Sequence, residues 1–153
     1  YVQYCVDAWL MLRVHNVISS FAEKETISKY YFIDNGLLHL FLIDAESSLM
    51  ENLVAIALFR KYGNDPENER VFYYNANVEV DFYIPEDKWA IQVAYNIGKN
   101  TDTYDREVGA LKKLSSVLEC DRRQIVTYDE EYNIEDDKGE IEVIPYWKWV
   151  STL

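Results

Sequence analysis

Apolar residues along this chain change their spacing several times, and each change marks an expected element. The opening stretch "YVQYCVDAWLML" is amphipathic, so the first 20 residues are expected to form a helix that enters an extended segment. "KYYFIDNGLLHLFLI" then reads as a short strand, a turn at Asp34, Asn35 and Gly36, and an apolar helical turn. From Ser47 to Gly63 the pattern predicts a helix. Leu49, Leu53 and Ile56 recur at helical spacing, Ser48 and Glu51 fit a capping box, and Arg60 and Lys61 precede a terminating Gly63. A second helix is expected from about Thr103 to Leu118, burying Val108, Leu111, Leu114 and Leu118. "RVFYYN", "QIVTYDE" and "IEVIPYWKWV" read as strands, and the polar stretches "GNDPENER" and "DEEYNIEDDKGE" as loops. There is no internal repeat. A meander followed by a helical crossover predicts an α/β unit, a mixed sheet flanked by helices.

The stretch "VEVDFYIPEDKWAIQVAY", residues 78–95, reads as a hairpin. Side chains alternate along a strand, which would put Val78, Val80, Phe82 and Ile84 on one face and Glu79, Asp81 and Tyr83 on the other. With "PEDK" as a four-residue loop, Ile84 pairs with Trp89, Asp81 lies opposite Gln92, and Glu79 lies opposite Ala94. Glu51 shares a helix side with Val54, Ala55 and Leu58 and is expected to point toward the sheet. Glu51, Asp81 and Gln92 together are candidate oxygen ligands for Mg²⁺ or Mn²⁺. Metal-assisted phosphodiester cleavage needs such a cluster, with a Lys close by.

Composition narrows the classes. The chain has 153 residues, 49% of them hydrophobic and 15% aromatic, enough for one packed domain. It opens at Tyr1 without Met, so it is expected to be a piece of a longer protein. Cys5 and Cys120 are far apart and lack a CxxC pattern, which argues against a disulfide framework or zinc site and for a reducing cytoplasm. No signal peptide is evident, and no apolar run approaches the roughly 18 residues of a membrane span. The net charge is −12, whereas proteins that grip duplex DNA usually carry a basic stripe. Basic residues come as the isolated pairs Arg60/Lys61, Lys112/Lys113 and Arg122/Arg123, read as surface charge or as a local basic rim.

The succession "SLMENLVAIAL", "VEVDFYI", "AIQVAY" and "TYDREVGALKKL", with "KYYFIDNGLL" before it, resembles a domain of unknown function found C-terminal to AAA-type P-loop ATPase modules in bacteria and archaea. That domain is similar to the PD-(D/E)XK nuclease superfamily. The resemblance covers about residues 30–150 and implies a restriction-endonuclease-like core over residues 30–153, with residues 1–29 resembling the end of a winged-helix linker. It places Glu51 at the family's helical Glu, Asp81 at its hairpin Asp, and "IQVAY" at its "E-V-K-Y" strand. There the sequence departs, with Gln92 in place of an acidic ligand and Ala94 in place of the catalytic Lys. Gln keeps an oxygen but loses a charge, and Ala can position nothing. Lys112 is a candidate substitute for the lost lysine. No GxxxxGK[ST] occurs, so ATP would belong to an N-terminal module of the parent protein.

Plainer readings stand beside these. The capping box accounts for Glu51, a solvated sheet face for Glu79 and Asp81, and a structural amide for Gln92. His15 and His39 show no companion ligands, and "YYF" and "YWKW" read as packing aromatics. Three functions remain open. The leading one is a nuclease-like domain degraded at Gln92 and Ala94 and kept for nucleic-acid (DNA among them) or protein binding beside its own ATPase module. The second is a weak Mg²⁺- or Mn²⁺-dependent DNA nuclease. The third is a protein-interaction or oligomerisation domain, which the acidic balance suits.

Overall fold

The computed structural model describes residues 1–20, 27–40, 46–65, 67–98 and 101–153. A short helix α1 (Val2–Asp7) leads into strand β1 (Met11–Asn16), followed by β2 (Ser28–Phe32) and the helical turn α2 (Asn35–His39). The long helix α3 (Glu46–Tyr62) precedes β3 (Phe72–Asn75), β4 (Glu79–Ile84) and β5 (Trp89–Val93). Helix α4 (Asp102–Leu114) crosses over to β6 (Arg122–Thr127), and β7 (Tyr132–Asp136), β8 (Gly139–Pro145) and α5 (Tyr146–Val150) complete the described chain. The strands form one eight-stranded sheet in the order β2-β1-β3-β4-β5-β6-β8-β7. It is mixed: β1 runs parallel to β3, β5 to β6 and β6 to β8, and the other neighbours are antiparallel. The expected α/β class with a mixed sheet is what forms. Residues 1–29, read as linker, supply β1 to the sheet interior, and the boundary drawn there falls inside β2.

Two hydrophobic clusters cover the two faces of the sheet. Met50, Val54 and Leu58 of α3 and Trp149 of α5 pack on Phe82, Ile84, Ile91 and Val93. Val108, Leu111 and Leu114 of α4 pack on Tyr83, Ala90, Ile125 and Val143. Each fully buried aliphatic side chain contributes about 1.5–3 kcal/mol relative to exposure. The buried stripe of α3 is Met50, Val54, Ala57 and Leu58, whereas Leu49, Leu53 and Ile56, chosen from spacing alone, form its half-buried flanks. The helix stops as expected: Gly63 adopts φ 83° and its N–H donates to Phe59 O at 2.9 Å, a left-handed cap that favours glycine. Helix α4 starts one residue earlier than expected, capped by Thr101, whose hydroxyl accepts from Tyr104 N–H at 3.1 Å.

Several sequence expectations fail for identifiable reasons. The capping box does not form, because α3 already begins at Glu46, which places Ser48 inside the helix and frees Glu51 for the sheet. "IEVIPYWKWV" is a strand only to Pro145. Proline lacks an N–H, so the ladder ends there and Tyr146–Val150 turn into α5, which buries Trp149 and leaves Trp147 exposed. Within "DEEYNIEDDKGE", Tyr132–Asp136 forms edge strand β7 against β8. Its outward residues Asn133 and Glu135 suit an edge and hide the strand from a hydrophobicity reading. The apolar turn expected through Ile43 lies partly outside the described residues, which show α2 up to His39 with Asp34 as its cap.

Candidate functional site

The hairpin β4–β5 has the expected register, pairing Ile84 with Trp89, Tyr83 with Ala90 and Phe82 with Ile91. On its other side β4 is irregular. Phe72 faces Tyr83 while Tyr74 faces Val80, so Tyr73 alone spans Asp81 and Phe82, which is a β-bulge. The expected strict alternation breaks there: Phe82 and Ile84 enter the core under α3, but Val80 joins Tyr83 in the core under α4. The bulge re-aims Asp81.

Beyond Phe82, side chains take over from the ladder. Asp81 N–H donates to Gln92 Oε1 at 2.8 Å, and Val93 N–H donates to Asp81 Oδ2 at 2.9 Å. Gln92 Nε2 donates to Glu79 O at 3.2 Å and to Glu107 Oε2 of α4 at 2.6 Å. These partners fix the amide orientation, since only a carbonyl accepts from an N–H and only an NH₂ donates to a carboxylate. Gln92 is buried, with its oxygen held by the backbone and its nitrogen by two acceptors. It acts as a brace between strands and helix. Glu107 is also braced by Arg106, at 2.9 and 2.6 Å, while burial moves its carboxyl above the usual range against that pairing.

The remaining carboxylates gather around a side chain that the sequence reading did not single out. Lys29 Nζ of β2 lies 2.5 Å from Glu79 Oε1, 3.3 Å from Asp81 Oδ1 and 3.3 Å from Glu51 Oε1. The ring of Tyr73 lies beneath it, 5.5 Å from the centroid. Tyr31, two positions along the same strand, donates its hydroxyl to Glu51 Oε1 at 2.6 Å. Burial works against the ammonium, but Asp81 and Glu51 outweigh it and hold Lys29 above the usual lysine range. Asp81 is pushed up to about 7, first by burial and then by the charge of Glu51, with Lys29 and the Val93 N–H opposing. The clue to Lys29 in the sequence was the alternation of "SKYYF", which puts Lys29 and the buried Tyr31 on one face of a strand.

The carboxylates of this cluster open into a cleft of about 590 Å³ between α3, the end of the hairpin and α4, while Lys29 and Tyr31 line an adjoining pocket that shares Glu51. Glu51, Glu79, Asp81, Asp105 and Glu107 line the cleft, against the cationic Arg106 and Lys113. Ala94 lines it as well, so the position at which the resemblance expects a lysine opens into the cleft. The expected substitute, Lys112, is not among the lining residues; its neighbour Lys113 is.

The fit to a divalent ion is poor. Gln92 Oε1 already accepts from Asp81 N–H, and an ammonium already lies among Glu51, Glu79 and Asp81. Among the described residues no three His, Cys, Asp or Glu side chains are disposed to hold a metal ion. Of the basic pairs, only Lys113 lines this cleft. Arg123 is buried against Asp136, and Arg122 and Lys61 lie over the Trp89 ring.

A family model described as "Domain of unknown function (DUF4143)" matches residues 46–149, from the start of α3 to α5. The chain belongs to this family. Within DUF4143, the matched span contains Glu51, Glu79, Asp81, Gln92 and Glu107, while Lys29 lies before it. The chain is also similar to "Uncharacterized protein MJ1544" of Methanocaldococcus jannaschii, 35% identical over 162 residues. That alignment covers 99% of this chain and 35% of the archaeal protein, so the chain spans about a third of its relative's length. No solved structure matches. Among the described residues no helix is long and apolar enough to cross a membrane.

Proposed function

We propose that this DUF4143 chain is a nuclease-like domain of a larger AAA-type ATP-binding protein, with a cleavage site that has lost its chemistry and a cleft that serves partner recognition. The observation that carries this reading is the Lys29 ammonium among Glu51, Glu79 and Asp81, the groups a catalytic metal would need. Gln92 and Ala94 support it from the hairpin: one is spent on backbone hydrogen bonds and the other has no functional group. The restriction-endonuclease-like core is part of the same reading, supported by the bulged acidic hairpin between α3 and the α4 crossover. The relative about three times as long leaves room for an ATPase module outside the matched region. Five carboxylates against Arg106, Lys113 and the adjoining Lys29 leave the cleft lining acidic, which suits a basic protein surface better than a bare phosphate backbone.

A second reading is favoured by the same lysine. Lys29 reaches Asp81 and Glu51 from a different strand, so it supplies a lysine that Ala94 lacks, and weak Mn²⁺-dependent cleavage would follow. One assay separates the two. Supercoiled plasmid and single-stranded DNA are incubated with the protein in Mn²⁺ or Mg²⁺, beside Asp81→Ala and Lys29→Ala. The recognition reading expects no cleavage by any of the three where a control nuclease cuts. Cleavage by the unmodified protein, lost in both variants, would establish the second reading instead.

A further inference from the structure

The poor fit between this acidic cluster and a metal has a positive counterpart. We propose that Lys29 is a resident cation that occupies the carboxylate cluster and excludes divalent ions from it. The inference rests on reading the cluster as the remnant of a cleavage site, but its test involves no nucleic acid.

Three features make the contact a fixed one. Lys29 is held from several directions at once, by Glu79, Asp81 and Glu51 and over the Tyr73 ring. Its side chain is 23% exposed, and that of Asp81 14%, so this pair is the most withdrawn part of a partly solvated cluster. The strand that presents it is also clamped. Asn52 of α3, itself buried, accepts from Phe32 N–H at 2.7 Å and donates to Phe32 O at 2.8 Å, as a neighbouring strand would. Asn52 Nδ2 also reaches Asn35 Oδ1 at 2.7 Å. Lys29 therefore sits on a strand fixed on one side by β1 and pinned by α3 three residues further on. For a divalent ion to enter, the ammonium must leave three carboxylates, and the one oxygen of Gln92 is already engaged by Asp81 N–H and carries no charge to compensate.

The test is Mn²⁺ binding, read from the free-ion electron paramagnetic resonance signal, by the purified protein, Lys29→Ala, Lys29→Met and Lys29→Ala/Asp81→Asn. Expected are no stoichiometric binding by the unmodified protein up to about 1 mM, at least tenfold tighter binding of one ion by the single variants, and loss of that gain in the double variant. Equal affinity in the unmodified protein would overturn the proposal, and so would variants that unfold cooperatively yet gain no Mn²⁺. Should the substitutions prevent folding, amine acetylation followed by mass spectrometry decides on the unmodified protein. Lys29 is expected to react at least tenfold more slowly than the exposed Lys61, with or without Mn²⁺. A Lys29 that reacts as fast as Lys61, or is released by Mn²⁺, would overturn it. DNA cleavage would count against the recognition reading through a separate assay.

Discussion

Lys29 and Asp81 meet at 3.3 Å, although 52 positions separate them and they lie on β2 and β4, which are not neighbours in the sheet. β1 and β3 lie between them, and the bulge in β4 turns the carboxylate toward the ammonium. The pair lies at the centre of a cluster in which Glu51 and Glu79 share the same cation.

Removing that cation leaves three carboxylates to repel one another in a partly buried place. Lys29→Met is expected to destabilise the protein by about 2–4 kcal/mol, below the full cost of breaking a buried pair because the cluster is partly solvated. Urea unfolding at neutral pH reads this directly. An unchanged midpoint would show that the contact carries no net stabilisation.

Asp81 makes stability depend on pH in a particular direction. Its folded pKa of about 7 lies above the ordinary carboxylate range, so the folded protein retains a proton that the unfolded chain releases above ~4. Stability associated with this group is fully present below ~4 and is lost as pH rises toward about 7. Glu107, also raised by burial, acts in the same sense. The urea midpoint is expected to fall across this window and to fall less in Asp81→Asn. A slope that Asp81→Asn leaves untouched would assign the effect elsewhere.

An acidic residue at position 92 is expected to disrupt the brace rather than add a ligand. In Gln92→Glu a carboxylate replaces the amide nitrogen that faces Glu107 Oε2 at 2.6 Å and Glu79 O at 3.2 Å. Two acceptors and a like charge then meet, at an expected cost of about 2–3 kcal/mol, larger at pH 8 than at pH 5. Thermal unfolding at the two pH values measures it. Enhanced stability, or cleavage gained by this single change, would contradict the bracing role of Gln92.

Arg123 and Asp136 form a paired contact of 2.7 and 2.8 Å with side chains only 2% and 4% exposed. The guanidinium hydrogen bonds hold Asp136 below the usual carboxylate range and tie β6 to the turn that ends β7. Arg123→Met strands a buried carboxylate and is expected to cost about 3–5 kcal/mol. Little dependence of that loss on added salt is expected, since the pair is shielded from solvent. A loss below about 1 kcal/mol would place the pair with ordinary surface contacts.

The Asn52 clamp is tested through exchange. Asn52→Leu removes the acceptor of Phe32 N–H and the donor to Phe32 O. Amide exchange at Phe32 is expected to accelerate at least tenfold, with about 1–3 kcal/mol of global destabilisation. Exchange that remains slow would mean that the edge of β2 is protected by other contacts.

Much of the fold was legible because period and punctuation are local. Alternation gave β3 to β6 their places, and Gly63 and "PEDK" marked where a helix and a hairpin must turn. Of the candidate site, Glu51 and Asp81 were legible from one helix face and one strand, and the structure brings both to the same cation. Gln92 was legible as a position but not as a brace. Its role depends on Glu107, fifteen residues away on α4, which no local pattern connects to it.

The sequence by itself determined that this is an α/β chain with an acidic hairpin that carries Gln92 and Ala94 on its return strand, because those properties rest on residue identity and short-range spacing. Tertiary structure alone decided where charges meet. β2 was brought within reach of β4 across two intervening strands, and the bulge at Asp81 broke the alternation that a strand pattern assumes. The physical reason is that Coulomb and hydrogen-bond energies depend on distance in space, and the distance between Lys29 and three carboxylates is set by sheet order, which local sequence does not encode.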